Sequence, residues 1–207
     1  MTLQNRVLPD GSIVAHPARG TLTGNRGILH GADRTLGAAR WRHPNWVCCE
    51  LSFKDRHRTV MSPGSWTELF FLDEAVALAA GHRPCAYCRR ADYKAFLRAW
   101  ASAFGVAPRA SEIDRRLHAA RILPGTRRQR SHEAEARELP PGVFVLIDDR
   151  FLLLADDCAL PFSPVGYGAP ATRPSGRVMV LTPKPVVPVL RAGYRPRMHN
   201  SAEGLCG

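Results

Sequence analysis

Long apolar runs are missing from this chain of 207 residues. Nothing in it approaches the roughly 18–20 consecutive apolar residues that a membrane-spanning helix needs, so a membrane is not an expected partner. The opening residues, MTLQNRVLPDGS, hold no apolar stretch of the kind that directs secretion. Lysine is scarce too, with Lys54, Lys94 and Lys184 its only occurrences, so nearly all the positive charge is arginine. A Walker loop, a dinucleotide-binding glycine fingerprint, an H-E-x-x-H helix and a G-x-S-x-G elbow are all absent from the sequence. Those absences remove the commonest nucleotide-binding, zinc-protease and serine-hydrolase readings and leave a cytoplasmic protein as the expectation. In that compartment clustered cysteines favour a metal over a disulfide.

What is present is a basic chain with an ordinary apolar share. The hydrophobic fraction of 45% is enough for a real core at this length. Twenty-nine arginines and lysines against 18 acidic residues give a formal net charge of +11 and a pI near 10.1. A pI this high is an electrostatic footprint of nucleic-acid contact, although arginine-for-lysine usage beside abundant alanine also follows from a GC-rich genome.

The chain is organised around residues 70–90, FFLDEAVALAAGHRPCAYCRR. At its centre Cys85-Ala86-Tyr87-Cys88 forms a C-x-x-C knuckle, whose tight turn lets two thiolates face one point. Zn2+ is the default ion for a thiolate-rich tetrahedral site, and a structural site asks for four protein ligands. Cys48 and Cys49 lie upstream as candidates, and His43 and His30 are alternatives for the fourth position. Trp46 to Met61 reads as a hairpin around Lys54-Asp55. Its alternation sets Val47, Cys49, Leu51 and Phe53 on one face and Cys48, Glu50 and Ser52 on the other. One cysteine of the pair is then the ligand, with Cys49 favoured because the apolar face is expected to turn toward the knuckle. Asp73 is a good N-cap for a short alanine-rich helix, Gly81 suits its left-handed end, and Pro84 stops it before the knuckle.

Phe70-Phe71, a five-residue spacer and then Ala77-Leu78-Ala79-Ala80-Gly81-x-Arg83-Pro84-Cys85-x-x-Cys88 resemble the amino-terminal zinc module of the Ada family of methyl-phosphotriester DNA repair proteins. The resemblance spans about Cys48 to Arg90 and implies a cysteine-ligated zinc. Ada-like modules carry upstream ligands as a C-x-x-x-C pair, one of them the methyl acceptor. Here the upstream cysteines are adjacent, so no acceptor cysteine carries over by position. His82 stands where such modules have an aromatic residue and reads as packing.

Elsewhere the pattern is α+β. Gly24-Asn25-Arg26-Gly27 reads as the turn of a hairpin or of a tightly held loop between Arg19–Leu22 and Ile28–His30, or as a phosphate cradle using Arg26. Residues 91–104 form the best helix, with Tyr93, Phe96, Leu97, Trp100 and Phe104 as a core stripe and Gly105 as its stop. A second helix begins at Ser111, with Asp114 completing a capping box. Arg127, Arg128 and Arg130 form the densest basic patch; with Arg89 and Arg90 they are the expected phosphate contacts. Pro140-Pro141-Gly142 marks a boundary, giving a zinc-knuckle module of hairpins and helices over 1–138 and a small β-rich unit over 139–207. Within the latter, 143–147, 151–155 and 177–181 read as strands and 161–176 as a long surface loop, while Cys158 and Cys206 stand alone. The expected protein is a zinc-binding one that contacts DNA or RNA. Its rivals are a metal-dependent hydrolase or nuclease using His30, Asp33, His132 and Asp148-Asp149, and an alkyl acceptor using Cys48.

Overall fold

The structure, a computed structural model, describes residues 2–55 and 59–206. Helices take 22% of it and strands 25%, arranged as two sheets and four α-helices, so the class is α+β with neither element dominating. The first sheet contains β1 (Gln4–Val7), β2 (Ile13–Ala15), β3 (Leu22–Asn25), β4 (Val47–Glu50) and β5 (Leu69–Phe71). Helix α1 (Glu74–Ala79) then leads to β6 (Arg83–Pro84), and the spatial order is β2-β1-β5-β3-β4-β6.

That order overturns the hairpin expected over Trp46 to Met61 and, of the two readings of residues 19–30, leaves the held loop. β3 pairs with β4 and β5, while Ile28–His30 returns along neither of its edges. The second arm expected over residues 56–61 is not a strand where it is described, with Arg56 to Arg58 lying outside the described residues. The reason is that β3 and β6 already occupy both edges of β4. Gly24 is required at this crossing, because a Cβ there would sit 2.3 Å from the Val47 carbonyl oxygen and 3.0 Å from the Phe71 ring.

Helix α1 begins as its sequence dictates. The Asp73 carboxylate accepts from the Val76 N–H at 3.0 Å, and all six helical residues are buried. Gly81 follows with φ +80°, and a Cβ on it would meet the Arg121 side chain at 2.4 Å. Arg121 fills that space and donates to the Gly81 carbonyl. Helices α2 (Arg90–Phe104) and α3 (Ala110–Arg121) come next. Phe96 and Trp100 of the aromatic stripe are fully buried, and the Arg116 guanidinium lies over Phe104. The box at the start of α3 uses different residues from those expected. The Arg109 N–H donates to Glu112, leaving Asp114 free to form a two-pronged buried pair with Arg83 at 2.7 Å.

The second sheet consists of β7 (His132–Glu135), β8 (Phe144–Ile147), β9 (Arg150–Leu154), β10 (Cys158–Ser163), β11 (Gly166–Tyr167), β12 (Ala171–Thr172) and β13 (Arg177–Val180). It stays open, in the order β11-β10-β9-β8-β13-β7 with β12 on β10; α4 (Val186–Arg191) follows it. Strands β10, β11 and β12 therefore lie wholly or partly within the stretch 161–176, where a loop was expected, and Pro161 sits inside β10 opposite Leu152. The 138/139 boundary falls between β7 and β8 of this one sheet, so the covalent order and the sheet do not coincide.

Consecutive residues of the central strands feed different cores. Val145, Leu152, Leu154 and Val180 pack against Phe96, Trp100, Leu117 and Leu190 on one face. Phe144, Leu153, Leu160 and Leu181 pack on the other, against Leu22, Phe71 and the α1 alanines. A strand covered on both sides needs an unbroken apolar run, which is what Phe151–Leu154 supplies. Cys158 and Cys206, read as isolated, form a disulfide with Cα atoms 6.1 Å apart. The physical reason is the return of the C-terminal segment along the sheet. Tyr194 and the Arg197 N–H bond to Glu74, and the His199 N–H bonds to Asp73, which brings residue 206 back to the start of β10.

Candidate metal centre

Three sulfurs converge where β4 meets the knuckle. The Sγ atoms of Cys49, Cys85 and Cys88 all lie within 4.8 Å of one another, the one group of three metal-capable side chains among the described residues. Zinc–sulfur bonds of about 2.3 Å in a tetrahedron place sulfurs about 3.8 Å apart, which falls within that limit. The backbone holds the parts in place. The Arg83 N–H donates to the Trp46 carbonyl and the Cys85 N–H to the Cys48 carbonyl, joining the approach to the knuckle to β4 as a short parallel pair. Amide donors then surround the sulfurs: the Tyr87 N–H lies 3.4 Å from Cys85 Sγ, and the Glu50 N–H reaches Cys88.

These contacts decide where the protons go. Hydrogen bonds from Cys49 and Cys88 pull the Cys85 thiol far below its usual range, against the opposing effect of burial. The same contacts push Cys49 strongly up, with burial adding to them. A thiolate flanked by two thiols could hold an ion, and binding would then release the remaining protons.

Cys48 does not join the group. It faces Gly24 across the β3–β4 pair, is fully buried, and its sulfur accepts from Arg89 Nη1 at 3.1 Å. Burial, and then the Glu74 carboxylate, push its thiol up despite Arg89. Alternation along β4 separates the two cysteines as expected, but the buried face is that of Cys48. The Cys49 side turns to the knuckle and to a cavity, and Leu51 on the same side is half exposed.

The other candidates are scattered. His43 Nε2 pairs with Asn25 at 3.0 Å, and His30 contacts Thr67 at 2.6 Å and the Ser62 carbonyl, so neither is with the sulfurs. Asp33 binds Thr35, His132 lies opposite Val180 in β7, and Asp148 and Asp149 form the β8–β9 turn at positive φ. Arg26 is no phosphate cradle: it is buried over Trp46 at 4.2 Å and donates to the Gly11 carbonyl. His82 packs between Trp46 and Phe71 at 5.2 and 4.6 Å.

The expected phosphate contacts divide. Arg89 is 2% exposed and held by Glu74 at 2.7 Å, Asp92 and Cys48, so its charge is not offered to a partner. Arg90, Arg127, Arg128 and Arg130 are exposed. The last three line a groove with Arg40 and Trp41.

Beside the sulfurs lies a cavity of about 770 Å3, walled by Thr23, Phe53, Trp66, Glu68, Phe70 and Tyr87 as well as the three cysteines. The sequence reading missed Glu68. Its signal was a carboxylate set inside the otherwise apolar run Trp66 to Leu72. Comparison with protein families, with characterised proteins and with solved structures returned no match for this chain.

Proposed function

We propose that the chain is a zinc protein, its ion held by Cys49, Cys85 and Cys88, and that it contacts nucleic acid through exposed arginines. The convergence of three sulfurs within 4.8 Å carries the metal half of this reading, and the Ada-like spacing of residues 70–88 agrees with it. The choice of zinc rests on ligand softness, since thiolates select it over the harder divalent ions. Held there, the ion would tie β4 to the knuckle. The site residues themselves fix the geometry: the amide donors orient the sulfurs, and Arg89, next to Cys88, anchors the knuckle to the core through Glu74.

The nucleic-acid half is supported by the net charge of +11 and by Arg127, Arg128 and Arg130 standing exposed around one groove. Such contacts are to phosphate and carry little sequence information. The alkyl-acceptor alternative is disfavoured at Cys48, because its thiol is buried and kept protonated. The test combines elemental analysis of the purified chain with binding of labelled DNA and RNA across a salt series. One zinc per chain is expected. Affinity should fall by about 0.9 log unit per log unit of salt for each duplex phosphate neutralised. Replacing Arg127, Arg128 and Arg130 together should flatten that slope. A slope left unchanged by the triple substitution, or no binding at low salt, removes the nucleic-acid half.

A further inference from the structure

The groove bordered by Arg127, Arg128 and Arg130 has an apolar floor as well as a charged rim. Met179 pairs with Leu146 across β13 and β8, and Leu146 pairs with Phe151 across β8 and β9. Residues opposite one another on neighbouring strands point the same way, so these three side chains form one row on one face of the second sheet. All three are partly exposed and line the groove, together with the half-buried Trp41 from the segment before β4. The Trp41 ring is backed by Trp46 at 6.1 Å and His118 at 6.4 Å.

The rim is anchored. Gln129 turns inward, where its amide donates to the Ala79 carbonyl at 2.9 Å and fills the space over Gly11; a Cβ on that glycine would meet it at 1.7 Å. The Arg130 N–H donates to the Arg121 carbonyl at 2.7 Å, and Gln129 forms a bridge with Ile122. Arg128 and Arg130, on either side of Gln129, are exposed, as is Arg127. Among the described residues the wall carries five arginines, counting Arg26 and Arg40, against Asp10 and Asp149. Buried Arg26 has the Gly11 and Ala80 carbonyls as hydrogen-bond partners, so its charge adds to the field. That field is positive and favours an anion.

At about 530 Å3 the groove has the size of a small-molecule pocket. A duplex keeps its bases stacked inside and sets only its phosphates against such a rim. A single strand can splay a base out, offering a flat face to aromatic and apolar side chains while the flanking phosphates meet the arginines. We infer that this groove binds single-stranded nucleic acid, with one unstacked base against Trp41 and the row Met179, Leu146 and Phe151, and the neighbouring phosphates on Arg127, Arg128 and Arg130. The inference rests on the nucleic-acid half of the reading above. It adds the strandedness of the partner, with Trp41 as the residue that selects it.

Fluorescence anisotropy with the full-length protein at one low salt concentration tests it. The probes are a labelled DNA single strand, the same strand annealed to its complement, and an abasic strand of equal length that keeps the phosphates. Charge alone favours the duplex, which carries phosphates at about twice the axial density of one strand. The single strand should nevertheless bind more tightly than the duplex. It should also bind about fivefold or more tightly than the abasic strand, the gain from stacking one base. Trp41→Ala should remove both preferences and Trp41→Phe should keep most of them. Both variants should leave the salt slope unchanged, because no phosphate contact is lost. A duplex bound as tightly as the single strand overturns the inference. So does an abasic strand bound equally well, or a preference that survives Trp41→Ala. Should Trp41→Ala fail to fold, the three probes on the unaltered protein decide alone. Failure of the nucleic-acid reading looks different: none of the probes binds at low salt, and the inference falls with it.

Discussion

Cys48 and Cys49 are neighbours in the chain and occupy opposite chemical worlds. Behind β4, Cys48 sits in a dry, charged knot in which Arg89 is shared by Glu74, Asp92 and the Cys48 sulfur. In front of β4, Cys49 meets two more sulfurs at the edge of a large cavity. The knot has every charge paired and holds the knuckle to α1 and to the C-terminal segment. The cluster in front keeps its sulfurs half buried and within reach of a ligand. Strand alternation alone creates this contrast, since one residue of displacement changes the face.

The comparison breaks most sharply at the metal. Cys49→Ser, Cys85→Ser or Cys88→Ser should abolish stoichiometric zinc and remove a stabilisation on the order of 10 kcal/mol, whereas Cys48→Ser should keep the ion. Metal content after gel filtration, with melting in the presence and absence of chelator, reads this directly. Equal and complete loss from Cys48→Ser and Cys49→Ser would mean that the two faces are not separate.

A smaller effect is expected behind the strand. Arg89→Ala leaves the Glu74 carboxylate buried without its cation, which should cost about 3–5 kcal/mol in urea unfolding while zinc remains bound. A change below 1 kcal/mol would show that the knot is not what fastens the knuckle.

The last two cysteines extend the contrast to the far end of the molecule. Their bridge closes a sequence separation of 48, worth up to about 4 kcal/mol by restricting the unfolded chain. Cys206→Ser should therefore lower the melting temperature under oxidising conditions and leave it unchanged in reductant. The metal variants should behave alike in both.

The mildest prediction concerns acid. Burial holds His82 well below its usual pKa, helped by the nearby Arg26 and Arg121 charges. A base depressed in the folded state stays neutral there, while the unfolded chain takes up a proton below about pH 6.5. Stability should then fall as pH drops below that value, by about 1.4 kcal/mol per pH unit for this one group. His82→Phe should remove that part of the slope between pH 6.5 and 5, measured with zinc saturating. An unaltered slope would place the sensitivity elsewhere.

Local chemistry made much of this legible. The Asp73 cap, the Gly81 stop, the α2 stripe and the convergence of the knuckle sulfurs are short-range matters, decided by residues within a turn or two of one another. The sequence also determined that Cys48 and Cys49 must part, because alternation needs no tertiary information. Which of them faces the core was a different question. Leu51 and Phe53 made the Cys49 side look like the inner one, and only the packing of α1 and Arg89 against the other face decided it. The same holds for the arginines. Their number reads from composition, but Arg89 and Arg26 were drawn inside by carboxylates, carbonyls and a Trp ring from distant segments. Burial and pairing at long separation are sums over the whole fold, and no local pattern records them.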